Sequence, residues 1–196
     1  IFNPEKYDIT ECRKQFNLRD DEIAIGILAV LRQFKRHDLF LEMAKALIEK
    51  YPDKKLVFMI AGDGPQKNSI KNIINDLNLT SHVRMIGHIN YVPEFLSAID
   101  ILVLSSDSKE GVPQSVMQSL FMNKPVIATN SGSTKDLLLD NNLKLVNTND
   151  TQALIDGVSF YLDNKIYKDT RKEMLNFFSK KIMVEKILSV YKLILL

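Results

Sequence analysis

Two stretches of this sequence carry side chains suited to chemistry. The first holds Arg32, Lys35, Arg36 and His37, set between an apolar run (Ile23 to Leu31) and an amphipathic segment that begins near Asp38. Cations at the start of a helix oppose its macrodipole, which favours anions there. A bound phosphate would remove the conflict, because the cations and the free backbone amides would share its charge. A solvated basic loop is the alternative on these residues alone. The second stretch runs Ser105-Ser106-Asp107-Ser108-Lys109-Glu110-Gly111-Val112-Pro113-Gln114-Ser115. Glu110 stands just ahead of a predicted helix whose first turn offers free amides at Gln114 and Ser115. A carboxylate there can hold hydroxyl groups while the helix end holds phosphate; it can equally do no more than complement the dipole. Gln118 follows eight positions after Glu110, a polar residue among Val116, Met117, Leu120 and Phe121.

Other features are less specific. Gly62-Asp63-Gly64-Pro65 permits positive φ and close backbone approach, but Pro65 breaks the dinucleotide pattern G-x-G-x-x-G. Alone it reads as a tight strand-to-helix turn. Ser131-Gly132-Ser133-Thr134 is a hydroxyl-rich entry to a short helix, compatible with phosphate or sugar contact. His37, His82 and His88 have no spacing to Cys, Asp or Glu that suggests a metal site, and each reads as a loop residue. No Ser-His-Asp or Cys-His arrangement can be argued.

The elements that must position these groups follow from periodicity. Short apolar runs alternate with amphipathic segments, the pattern of βα units on a mostly parallel sheet. Strands are expected at Ile23 to Leu31, Leu56 to Ala61, Val83 to Ile86, Asp100 to Leu104, Pro125 to Thr129 and Leu143 to Val146. Helices are expected from Asp38 to Glu49, from Pro65 to Leu77, from Tyr91 to Ala98 and from Val112 to Met122. Another runs to Leu162 behind an Asp150 or Thr151 cap, and two more cover Ile166 to Phe178 and Ile182 to Leu195. The result is one α/β Rossmann-like domain, an about six-stranded sheet with helices on both faces. Ligands of such sheets bind beyond the C-terminal strand ends, where both chemical stretches lie.

Composition bounds the partners. At 196 residues and 45% hydrophobic side chains, one sizeable core can form. Lys plus Arg number 26 against 24 Asp plus Glu, a balance that argues against a dedicated nucleic-acid binder. Cys12 is the single cysteine, so no internal disulfide forms and a reducing compartment is the economical reading. No apolar run approaches the ~20 residues that span a bilayer. Ile1-Phe2-Asn3-Pro4 lacks the basic and apolar regions of a signal peptide and reads like the interior of a longer chain, cut at a linker.

Taken in order, Gly62-Asp63-Gly64-Pro65, Val83-Arg84-Met85-Ile86-Gly87, Asp100-Ile101-Leu102-Val103-Leu104-Ser105, Glu110-Gly111 and Lys124-Pro125-Val126-Ile127-Ala128-Thr129 resemble the C-terminal domain of family 4 glycosyltransferases, which have the GT-B fold. Each motif alone is weak; the series, spanning nearly the whole chain, is specific. The resemblance implies transfer of a sugar from a nucleotide diphosphate sugar, UDP- or GDP-linked, with retention at the anomeric carbon and no divalent metal or other cofactor. It implies that this half binds the donor and that an N-terminal half, absent here, binds the acceptor, a glycan or lipid-linked sugar. A cytoplasmic protein, peripheral at the inner membrane face, is the matching expectation. So are two alternatives of wider class: another GT-B enzyme such as an epimerase or phosphorylase, and a non-catalytic nucleotide-binding module.

Residue by residue, Glu110 matches the first glutamate of the family's E-x7-E motif, which contacts the donor sugar. The second falls on Gln118, whose amide can still bond ribose hydroxyls. Arg32 and Lys35 resemble the pair that binds the diphosphate, at tighter spacing, and Arg36 stands where glycine is frequent. Gly111, Val112, Pro113, Gln114 and Ser115 would contact the donor, the last two through amides on the diphosphate. Gly62 and Gly64 would border the donor, and Gly87, His88 and Ile89 would border the base. The usual Gly-Gly pair appears as Gly132-Ser133, and the glutamate after it as Asp136. The last helix, with its Ile, Leu and Tyr191, is expected to pack against the missing half.

Overall fold

A computed structural model describes residues 1–107, 110–139, 142–164 and 168–194. Among these, six parallel strands form one sheet in the order β3-β2-β1-β4-β5-β6: β1 Glu22–Leu28, β2 Lys55–Ala61, β3 Val83–Gly87, β4 Ile101–Leu104, β5 Val126–Thr129 and β6 Leu143–Val146. The strands are apolar nearly throughout because both faces are covered. The helices are α1 Ile9–Gln15, α2 His37–Lys50, α3 Lys67–Asp76, α4 Val92–Ala98, α5 Gln114–Phe121, α6 Thr151–Asn164, α7 Arg171–Phe178 and α8 Lys180–Ile194.

On one face, α2, α3 and α6 bury Phe40, Met43, Leu47, Ile70, Leu154 and Val158 against Ile25, Ile27 and Phe58. On the other, α1, α4, α5 and α7 bury Cys12, Phe95, Leu96, Val116, Leu120 and Met174 against Ala24, Leu102 and Val126. This alternation of faces is the expected doubly wound α/β arrangement. The strand order reverses between β1 and β4, so the loops leaving these strands diverge and open a crevice. The two chemically suited stretches of the sequence are those two loops.

Several boundaries differ from expectation for local reasons. β1 stops at Leu28, because the chain then turns across the sheet edge with Leu31 N donating to Asp63 O at 3.1 Å. Pro65 sits in a turn before α3 rather than in its first turn, with Gln66 N bonded to Leu31 O at 2.9 Å. The chain before β1 contains a helix, α1, that the sequence reading did not include. Asp8 caps α1 through Glu11 N at 3.1 Å, and only Cys12 and Arg13 of that short helix are buried. Arg13 explains its place: its guanidinium donates to Ala98 O (3.1 Å), Arg19 O (2.7 Å) and Glu22 O (2.6 Å) and pairs with Asp100 at 3.3 Å. Seven residues of mixed polarity carry no clear apolar period, so this helix leaves no sequence signal.

Ala153 N donates to Asp150 at 2.8 Å, so Asp150 is the cap of α6. The Ser131 to Thr134 stretch leads into a single 3-10 turn, Thr134–Leu137. The last two helices begin at Arg171 and Lys180 and adjoin at Ser179; their expected extensions over 166–167 and 195 lie outside the described residues. α8 has no buried residue, and Met183, Ile187, Leu188, Val190 and Tyr191 are exposed. No helix among the described residues is long and apolar enough to cross a membrane.

Candidate functional site

Lys35 closes the 3-10 turn Gln33–Lys35 that follows β1, and its ammonium pairs with Oε1 of Glu110, beyond β4. Their side chains are only 15% and 8% exposed. Lys35 also lies 5.2 Å above the Phe34 ring, which restricts its stem. Ser106, buried at the end of β4, donates its hydroxyl to the same oxygen, Glu110 Oε1, at 2.5 Å. No described residue donates to Oε2. Among the described residues the carboxylate is thus held through Oε1 alone.

The backbone under Glu110 is equally constrained. Gly132, at φ +55°, passes so close that a Cβ there would lie 1.7 Å from the Glu110 carbonyl oxygen. Only glycine allows this approach, because an L side chain is both strained at that φ and without space. Glu110 is followed by exposed Gly111 and Val112 and by buried Pro113, the N-cap of α5. Pro113 supplies no side-chain hydrogen bond to the helix, so the first-turn amides at Gln114 and Ser115 are uncapped from within. Gln118 sits half-buried one turn further along α5.

The cations of the first stretch do not act as one group. Arg36 adopts a left-handed conformation, φ 50° and ψ 51°, as the N-cap of α2. Its guanidinium binds both oxygens of Asp38 (2.8–3.1 Å) and also reaches Asn149. The Asp38 hydrogen bond raises the pKa of Arg36 further. Burial disfavours ionised Asp38, yet Arg36 holds its pKa below the usual carboxylate value. Asp38, in the first turn of α2, thus resolves the helix-dipole conflict that a phosphate was expected to resolve. His37 is not a loop residue: it opens α2, is 3% exposed, and its Nε2 has no partner among the described residues. Burial, helped by the Lys35 charge, pushes its pKa down to about 4, so it is neutral at pH 7. The Arg32 guanidinium alone of these groups has no hydrogen-bond or ion-pair partner among the described residues. It lines a cavity of about 640 Å³ with Gln33, Phe34, Arg36, Gln66 and Asp107, between the starts of α2 and α3. Neither Lys35 nor Glu110 lines that cavity.

The remaining expected positions are spread along the same edge. Gly62 and Gly64, at φ +141° and +157°, let the turn after β2 press on the Ala29 and Leu31 carbonyls, where a Cβ would come within 1.9 and 2.7 Å. Gly87 ends β3; His88 is exposed with Nε2 3.2 Å from Asn90 Oδ1; Ile89 is buried. Sequence reasoning missed the importance of Ser105, Ser106 and Thr129. The one signal for them is a run of hydroxyl residues ending apolar strands. Among the described residues no three His, Cys, Asp or Glu side chains gather as a metal site.

Comparison with known proteins agrees with this architecture. The chain is 31% identical over 193 residues to a UDP-Gal:alpha-D-GlcNAc-diphosphoundecaprenol alpha-1,3-galactosyltransferase of Escherichia coli, covering 95% of this chain and 49% of that protein. It is 27% identical over 185 residues to the putative glycosyltransferase EpsD of Bacillus subtilis, covering 91% and 48%. The chain thus spans about half the length of the curated relatives it matches. Among solved structures, Anabaena HepE in complex with UDP and glucose superposes with a TM-score of 0.83 at 16% identity, over 94% of this chain and 51% of that one. The C-terminal domain of a glycosyl transferase group 1 family protein from Francisella tularensis superposes with a TM-score of 0.77 at 22% identity, over 91% and 95%. A family model described as glycosyl transferases group 1 matches residues 8–177. With that match across most of its length and the Rossmann-like sheet of GT-B proteins, this chain belongs to the glycosyl transferases group 1 family.

Proposed function

We propose that this chain is the donor-binding, C-terminal half of a retaining glycosyltransferase that uses a nucleotide diphosphate sugar. The observation that carries the reading is the buried Lys35–Glu110 pair at the strand-order reversal, directly ahead of the uncapped start of α5. Without ligand, each charge satisfies the other. With donor bound, Lys35 turns to the diphosphate, joined by Arg32 and the amides of Gln114 and Ser115. Glu110 is released to hold sugar hydroxyls, Gln118 bonds the ribose, and the backbone at Gly87, His88 and Ile89 borders the base.

Catalysis in this reading is electrostatic. As the sugar–phosphate bond breaks, negative charge grows on the departing diphosphate, and fixed cations and amides stabilise it without a metal ion. The acceptor, a glycan or lipid-linked sugar, belongs to the rest of the protein, whose site is outside this chain. UDP is the first nucleotide to test, since HepE was solved with it. The test is thermal stabilisation of this domain by UDP, GDP and ADP and their sugars, at concentrations well above expected dissociation constants. A shift with one nucleotide family supports the reading, and no shift with any of them defeats it.

A further inference from the structure

Resting on that reading, we propose that Ser105 and Ser106, consecutive at the end of β4, are positioning residues that set the two charged groups of the site relative to one another. Both are 0% exposed. They follow β4 directly, and their two hydroxyls reach different partners. Ser105 Oγ donates to the carbonyl oxygens of Lys35 and Arg36, at 2.9 Å each. It thereby fixes the turn that carries Lys35, including the left-handed Arg36 that no glycine relieves. The next residues extend the strap, with Asp107 N donating to Phe34 O at 2.9 Å. Ser106 instead holds the Glu110 carboxylate through Oε1. Its own backbone is locked from β5, because Thr129 Oγ1 donates to Ser106 O at 2.5 Å.

One strand end therefore sets the position of the cation and, through the adjacent residue, the position of the carboxylate. The Ser106 bond holds Oε1 independently of Lys35, so the carboxylate keeps a partner when Lys35 moves to a phosphate. The two serines should accordingly divide the work. Ser105 acts on diphosphate affinity through the Lys35 turn. Ser106 acts on the reacting sugar through Glu110 and leaves the nucleotide untouched.

The test uses the protein expressed from its complete gene, with S105A, S106A and S106T beside the unsubstituted form. UDP and GDP dissociation constants are measured by calorimetry. Hydrolysis of, or transfer from, UDP-glucose, UDP-galactose, UDP-N-acetylglucosamine and GDP-mannose is measured by nucleotide release. Loss of a hydrogen bond to a charged group leads us to expect S106A to lower kcat roughly tenfold or more, with nucleotide affinity within about twofold of the unsubstituted protein. S106T, which keeps the hydroxyl, should recover most of kcat. S105A, which loosens the turn carrying Lys35, should weaken nucleotide binding by about fivefold or more and lower kcat with it. The proposal is overturned if S106A weakens nucleotide binding as much as it slows turnover, or if both alanine variants behave like the unsubstituted protein. An unsubstituted protein that binds neither nucleotide defeats the donor-site reading itself and the serine assignment with it. Normal binding and turnover with no effect of either serine defeats the serine assignment alone.

Discussion

Lys35 and Glu110 form a buried ion pair although 75 residues separate them, and each lies on a loop leaving one of the two strands between which the sheet order reverses. Neither charge is stable alone at such low exposure, since a buried ion without a partner carries the full desolvation penalty. In the proposed function the pair is a resting arrangement, which a diphosphate would enter by exchanging one anion for another at Lys35.

Substituting Lys35 by Ala should lower turnover by well over tenfold, because one such donor is worth about 3 kcal/mol of barrier. Glu110→Ala should reduce transfer more than it reduces binding of the free nucleotide. Steady-state kinetics together with calorimetry on both variants check this, and near-normal turnover of Lys35→Ala would sink the assignment.

His37 makes the fold sensitive to mild acid. Its folded pKa of about 4 lies below its ordinary value of 6.5, so between those values the unfolded chain binds a proton that the folded chain refuses. Stability from this group is complete above about pH 6.5 and is lost as pH falls toward 4, by roughly 3 kcal/mol in all. Urea unfolding at pH 7 and pH 5 should show the drop, and His37→Phe should show a smaller one. An equal drop in the variant would count against His37 as the cause.

Gly132→Ala should damage the site from behind. The new Cβ would meet the Glu110 carbonyl, and a non-glycine residue held at positive φ costs of order 1–3 kcal/mol. Lower melting temperature and lower turnover are both expected, and a variant matching the parent in both would show that Gly132 does not support Glu110.

Arg13→Ala removes a buried cation that ties α1 to the carbonyls of Ala98, Arg19 and Glu22 and to Asp100. Leaving the three carbonyls without the guanidinium, and Asp100 with only the Ala24 amide, should destabilise the fold by about 3 kcal/mol. Lys14→Ala, which breaks an exposed pair with Glu11, should change stability by less than about 1 kcal/mol. Denaturant melts of the two variants compare them directly.

Removing residues 180–196 should leave the melting temperature nearly unchanged. α8 contributes no buried residue to the described fold, so its loss uncovers little core. The exposed Met183, Ile187, Leu188 and Tyr191 should promote self-association of the isolated chain, which light scattering before and after the truncation would reveal. A large drop in melting temperature would mean that α8 packs on this domain in solution.

What the sequence by itself determined is the run of strands and the location of the chemistry. Apolar runs such as Leu56 to Ala61 and Ile101 to Leu104 read as doubly covered strands by their shortness and by the turn residues around them, and the loops behind the first and fourth strands stood out by charge and by glycine. Lys35 was legible because a cation at a helix start opposes the dipole, and Glu110 because a carboxylate stands just ahead of free first-turn amides. The tertiary structure alone decided that they touch, since the contact depends on β1 and β4 becoming neighbours across the order reversal. It also decided that Arg36 is tied to Asp38 while Arg32 has no such tie, that His37 is buried and neutral, and that Ser105 and Ser106 clamp opposite partners. Short hydroxyl side chains have no periodicity of their own. Their roles exist only where folding brings a carbonyl or a carboxylate within hydrogen-bond reach, and that reach is a property of the packed strands rather than of any local stretch of chain.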